Sequence, residues 1–198
     1  MGLEIEYIDG QTPLDEDEKE GLLIPTVSTR GELDEFEQQN IEKAIEWTLT
    51  RKFKKEEIFL EDFVRNLHRR MYADVWKWAG KFRKSDTNIG CSWTNIGIQL
   101  RSLLDDTIFW IKEKSLTDEE IAIRFKHRLV SIHCFPNGNG RHSRIMADII
   151  MEYVFNKPIF SWSESDLTKS NEVRKRYIDA LKKADGGDIN QLIKFATS

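Results

Sequence analysis

The sequence predicts an all-α bundle with one small β-hairpin attached, and three observations predict it. Apolar residues recur at spacings of three and four along most of the chain. Only one stretch, 84–97, sets Asn88, Gly90, Asn95 and Gly97 among Thr, Ile and Trp residues as a turn between strands would. With 39% hydrophobic and 11% aromatic content, 198 residues can bury a sizeable core, which excludes a disordered chain.

The first thirty residues are acidic and turn-prone, with Pro13, the run 15–20 and Pro25. They read as an arm, 1–30, with little structure of its own and a candidate regulatory role, followed by one helical domain, 31–198. Helical periodicity begins with Leu33, Phe36, Ile41, Ala44, Ile45 and Leu49, with Thr29 or Asp34 as the cap. A second helix is expected over 61–78, with Phe63, Leu67, Met71, Val75 and Trp78 on one side. The hairpin or flap follows at 84–97.

Helices resume over 98–114 and, after the start signal Thr117-Asp118-Glu119-Glu120, over 121–132. From Arg141 to Val154 the pattern is mostly apolar, as in a central helix. Beyond Pro158 come a Ser163 or Ser165 cap, a helix through Tyr177, Ala180 and Leu181, a break at Gly186-Gly187, and a short helix over 188–195.

Charge and composition narrow the function. A net charge of −4 gives no global basic surface, so direct nucleic-acid binding is not expected, and Lys169, Arg174, Lys175 and Arg176 alternate with acids as on a solvated helix face. No apolar run approaches the roughly 20 residues that span a bilayer, and the N-terminus lacks the pattern of a secretory signal, so a cytoplasmic location without membrane partners is expected. Cys91 and Cys134 make no disulfide framework.

The chemistry concentrates in 133–144, His-Cys-Phe-Pro-Asn-Gly-Asn-Gly-Arg-His-Ser-Arg. A helix ends near Ile132 and another begins near Gly140. Unpaired N–H groups at that second start attract an anion, and Gly138 and Gly140 let backbone approach it. Arg141 and Arg144, one turn apart, share a face suited to gripping phosphates, and Asn139 offers its amide to a further phosphate oxygen. His133, just before the loop, is placed to take a proton from a hydroxyl. Together these residues point to phosphoryl or nucleotidyl transfer. A zinc site from His127, His133, Cys134 and His142 lacks a metal-ligand spacing. Cys134 as a nucleophile would need its neighbour His133, which faces another way on a helix, so Cys134 reads as a small core residue.

This stretch resembles the Fic signature, His-x-Phe-x-acidic-Gly-Asn-Gly-Arg-x-x-Arg, and matches every specified position but the acidic one, where Asn137 stands. The resemblance extends from about residue 40 to 195, through Trp78-Ala79-Gly80-Lys81-Phe82-Arg83 and Tyr177-Ile178-Asp179-Ala180-Leu181, and is closest in character to the Fic subgroup called mobile mystery protein B. It implies a Fic-type helical bundle and a protein adenylyltransferase that moves AMP from its substrate ATP to a target hydroxyl. On that resemblance His133 is the general base, Phe135 anchors the loop, and Gly138, Asn139 and Gly140 cradle the α- and β-phosphates. Arg141 then holds the β-phosphate and Arg144 the γ-phosphate, while Tyr177 or Asn171 borders the adenine. The flap 84–97 would hold the target's backbone by strand addition.

In the family the acidic position holds Mg²⁺, and an amide at Asn137 ligates without charge, so metal affinity is expected to be weaker. The readings left open are weaker AMP transfer, a different phosphate-bearing substrate, and a nucleotide-binding interaction module without turnover. Many Fic proteins are restrained by a glutamate in Ser/Thr-x-x-x-Glu-Gly/Asn. Ser28-Thr29-Arg30-Gly31-Glu32-Leu33 meets that pattern at its Ser and Glu, making Glu32 the candidate inhibitory residue, against the plainer reading of a helix cap followed by a surface acid. The subgroup resemblance also implies a helix-turn-helix or antitoxin-like regulator as partner.

Overall fold

The computed structural model describes residues 21–162 and 171–198. The arm's Pro13 and acidic run, and the Ser163 or Ser165 cap, lie outside these residues. Helix α1, Arg30–Thr50, starts at Thr29, whose hydroxyl accepts from the Glu32 N–H while the Glu32 carboxylate accepts from the Thr29 N–H, a reciprocal cap. A short helix α2, Lys55–Ile58, leads to α3, Glu61–Tyr72. Helix α4, Ile96–Glu113, follows a 3₁₀ turn at Trp93–Asn95. Thr117 caps α5, Asp118–Ile132, as its sequence signals. Helix α6, Asn139–Ile149, runs on into a π turn, Ile150–Val154. Helix α7, Asn171–Asp185, ends in reverse bonds from the Gly187 N–H to Ala184 and from the Asp188 N–H to Lys183, and α8, Asn190–Ala196, packs back on it.

Helix α3 turns Phe63, Val64, Leu67, Met71 and Tyr72 inward, a stripe at helical spacing that packs on α1 and α6. Each such side chain contributes about 1.5–3 kcal/mol by leaving water, and Leu67→Ala would forfeit about 2–5 kcal/mol. Helix α5 packs between α4 and α6 and buries Phe125 and Leu129 against the same core. Among the described residues no helix is long and apolar enough to cross a membrane.

Two expectations need correction. The second helix stops at Tyr72 and not near residue 78, because residues 75–77 pair with an incoming chain: Leu23 N–H donates to Val75 O and Lys77 N–H to Gly21 O, with an antiparallel bridge between Leu22 and Trp76. The hairpin at 84–97 is not formed either; that bridge is the one pairing of its kind, and no sheet exists, among the described residues. Side chains take the place of a partner strand there. Arg83 donates to the carbonyls of Ser85 and Cys91, and Asp86 Oδ1 accepts the Trp93 N–H at 2.8 Å, so these backbone groups find partners without a ladder.

Candidate active site

The site lies where α5 ends and α6 begins. His133 closes α5 in the left-handed region at φ 56°, its N–H donating to Leu129 O, and the chain turns there into the loop 134–138. Phe135 is fully buried and Cys134 too, where burial raises its thiol pKa and leaves it protonated. Both ends of the Asn139 amide bind the Phe135 backbone, Oδ1 accepting from the N–H at 3.0 Å and Nδ2 donating to the carbonyl at 2.7 Å. That amide closes the loop, with both its oxygen and its nitrogen engaged by the Phe135 backbone. Gly138 precedes α6 at φ 77°, and a Cβ there would lie 2.4 Å from the Tyr72 ring. Only glycine fits. The first backbone bond of α6 runs from His142 N–H to Gly138 O, so the N–H groups of Asn139, Gly140 and Arg141 stand at a helix start beside His133.

Two residues that sequence reasoning missed hold this loop. His68, fully buried on α3, accepts the Gly80 N–H at Nδ1, 3.0 Å, which leaves its Nε2–H to donate to Asn137 O, also 3.0 Å. Its ring stacks on Phe135 with centroids 3.7 Å apart. Burial and the neighbouring His142 hold its pKa well below the usual imidazole range, which keeps it neutral for that bonding pattern. Arg83, equally buried, donates from Nε to His133 O at 2.7 Å and from its other nitrogens to Ser85, Cys91 and Ile132 carbonyls. Burial first, and the Arg83 charge second, push the His133 pKa down to about 4, so its imidazole is neutral near pH 7.

Arg141 and Arg144 share a face of α6 but meet different neighbours. Arg141 lies 5.3 Å from the Tyr72 ring and donates to Glu37 Oε2 at 2.6 Å; the other Glu37 oxygen accepts from Trp76 Nε1 at 2.8 Å. Burial works against the Arg141 charge, and the Tyr72 and Glu37 oxygens more than offset it, raising its pKa. Arg144 lies 5.9 Å from the Tyr177 ring, whose hydroxyl accepts from the buried Lys126 Nζ. Burial, then Tyr177 against it and Arg141 with it, leave the Arg144 pKa lowered. Glu32 is exposed and occupied in the cap of α1, taking the Ser28 and Thr29 N–H groups, which lower its pKa. The buried acid bonded to Arg141 is Glu37. Its signal in the sequence is a carboxylate on the apolar stripe Leu33, Ile41 and Ala44 of α1, just as His68 interrupts the stripe of α3.

His127 bonds Asp185, and His142 reaches Val64 O, so the histidines of the zinc reading are separately engaged. Among the described residues no three His, Cys, Asp or Glu side chains gather as a metal site. Asn137 Oδ1 accepts its neighbour's Gly138 N–H at 2.6 Å and carries no charge. This donor set does not fit a protein-held Mg²⁺.

A Fic/DOC family model matches residues 58–151, from the end of α2 into the start of the π turn. The chain carries a Fic/DOC domain. Curated relatives include the protein adenylyltransferase Fic of Drosophila virilis, 28% identical over 143 residues, and that of Aedes aegypti, 27% identical over 142 residues. These matches cover 70% of this chain but 28% and 27% of the relatives, so the chain corresponds to little more than a quarter of their length. Among solved structures, a fragment of Fic-1 from C. elegans superposes with a TM-score of 0.68 at 22% identity, over 90% of this chain and 51% of that one. The N-terminal Fic domain of a putative cell filamentation protein from Bartonella quintana, with bound ADP, gives 0.67 at 16% identity, over 87% and 86%. At these identities the likeness is one of fold, and it agrees with the helical Fic architecture.

Proposed function

We propose that this Fic/DOC domain is a protein adenylyltransferase that uses ATP as its nucleotide. The observation that carries the reading is the neutral His133 imidazole beside a helix start that bears Arg141 and Arg144. In the proposed step a hydroxyl oxygen of the target attacks the α-phosphorus and the bond to the β-phosphate oxygen breaks. The hydroxyl proton passes to His133, AMP stays on the target, and pyrophosphate leaves against the α6 N–H groups and the two guanidiniums. Gly140, with nothing within 4 Å of where a Cβ would stand, leaves room for a phosphate there. The segment 84–92, tied to His133 through Arg83, is the proposed rest for the target backbone.

A second reading has its own observation. Asn137 brings no carboxylate for a metal ion, while the start of α6 still offers its N–H groups and Arg144 to a phosphate, a combination suited to a nucleotide- or phosphate-binding module without turnover. The two separate in one assay. Incubating the protein with labelled ATP and a lysate should label protein if the first reading holds, and His133→Ala should abolish the label while ADP affinity stays within about twofold. Absence of label from the parent and from Asn137→Asp alike, with ADP still bound, would leave the binding module.

A further inference from the structure

Away from the loop 134–138 and the arginines of α6, an open cleft of about 660 Å³ lies between the end of α1, the link 51–53 and α3. Its volume is that of a ligand site, not a packing defect. Four guanidiniums line it, from Arg51, Arg65, Arg69 and Arg70, on a chain whose net charge is −4. Arg65 is answered by Glu61 at 3.3 Å and by Gly80 O at 3.1 Å, and Arg69 by the Asn66 amide oxygen.

Arg51 and Arg70 have no carboxylate partner among the described residues. Both lean on one aromatic wall: Arg70 lies 4.2 Å from the Trp47 ring, and Arg51 lies 5.9 and 5.6 Å from Trp47 and Phe53. A ring face holds a guanidinium in place and accepts none of its strong N–H bonds, so the five donors of each arginine stay available. Placing like charges together there is unfavourable without an anion. Burial, then Arg69 and Arg51, lower the Arg70 pKa accordingly.

The rest of the lining says which anion. Glu57 and Asp62 stand among the arginines and reduce the positive charge of the lining, which suits a few discrete carboxylates set on Arg51 and Arg70 better than the continuous charge of a nucleic-acid backbone. Leu60 on the rim is 55% exposed, an apolar contact that free phosphate would not use. We propose that this cleft docks an acidic peptide segment of a partner protein, with carboxylates on Arg51 and Arg70 and an apolar side chain between them on Leu60. The proposal does not depend on whether the loop transfers AMP.

The test is fluorescence anisotropy of the full chain with a fluorescein-labelled peptide Gly-Glu-Asp-Leu-Asp-Glu-Gly and its Gln/Asn counterpart. Saturable binding is expected for the acidic peptide, weakening with salt and falling about tenfold in Arg51→Glu and in Arg70→Glu. Arg141→Ala should leave it unchanged, and thermal melts should show both charge reversals folded, with Arg51→Ala as a milder second variant. The proposal is overturned if no binding is seen up to about 1 mM peptide. Equal binding of the neutral peptide, indifference to both reversals, or displacement by inorganic phosphate at the peptide's own concentration would each overturn it as well.

Discussion

Glu37 on α1 accepts a 2.6 Å bond from Arg141 on α6, 104 residues further along the chain, and is itself all but fully buried. A phosphate that engages Arg141 must compete with this carboxylate. Glu37→Gln keeps an oxygen for Trp76 Nε1 and removes the charge. ADP affinity, read by calorimetry, is expected to rise about tenfold, while the melting temperature falls by an amount equivalent to about 1–3 kcal/mol as the ion pair is lost. Tighter binding absent from this variant would show that Arg141 does not meet the nucleotide.

If His133 is the base, its depressed pKa sets the acid limb of the reaction. An imidazole at its ordinary value would lose half its base form near pH 6.5, whereas this one stays deprotonated until pH falls toward about 4. AMP incorporation measured from pH 5 to 7.5 should therefore show no titration centred on 6.5. A midpoint there would mean that His133 is more exposed during turnover than in this structure.

Stability should respond to pH through opposing groups. Burial pushes His133 and His142 down to about 4, so between roughly 6.5 and 4 the unfolded chain binds protons that the folded one refuses, and stability is lost as pH falls. Asp148 acts the other way: burial pushes it up to about 7, although it accepts from Trp162 Nε1 and the Phe160 N–H, so its contribution is lost as pH rises from about 4 to 7. Asp148→Asn should steepen the fall of stability below pH 6.5 by about 1.4 kcal/mol per pH unit, measured by urea unfolding at stepped pH.

His68 tests how the loop is held. His68→Phe preserves the stack on Phe135 but leaves the Gly80 N–H and Asn137 O without their ring partner. A loss of about 2–4 kcal/mol is expected, with faster amide exchange through 136–139. An unchanged exchange rate there would remove His68 as a support of the loop.

Helices with apolar stripes and local caps were legible in the sequence, because their determinants lie within one turn: Thr29 with Glu32, Thr117 with Glu120, Gly187 past α7. The residues around His133 and the glycine-bearing start of α6 were legible too, as a dense local pattern. What escaped depends on contacts between distant parts of the chain. Tyr72 ends its helix because residues 21–23 pair beyond it, and Glu37 and His68 look like interruptions of apolar stripes until Arg141 and Asn137 stand opposite them. The stretch 84–97 has strand-like composition, but a buried arginine outcompeted the ladder.

That arginine also bears on tolerance to substitution. Arg83 reaches the carbonyls of Ser85 and Cys91 on one side and of Ile132 and His133 on the other, and a Cβ on Gly90 would stand 2.9 Å from its Nη2 and 2.7 Å from the His133 Cβ. Lysine, with three donors on a single atom, cannot span those four acceptors. The height of the 84–92 segment above His133 is thus gauged by one planar group, like a spacer of fixed thickness. Sequence drift elsewhere in the segment can reshape its outer surface without altering the gap beneath it.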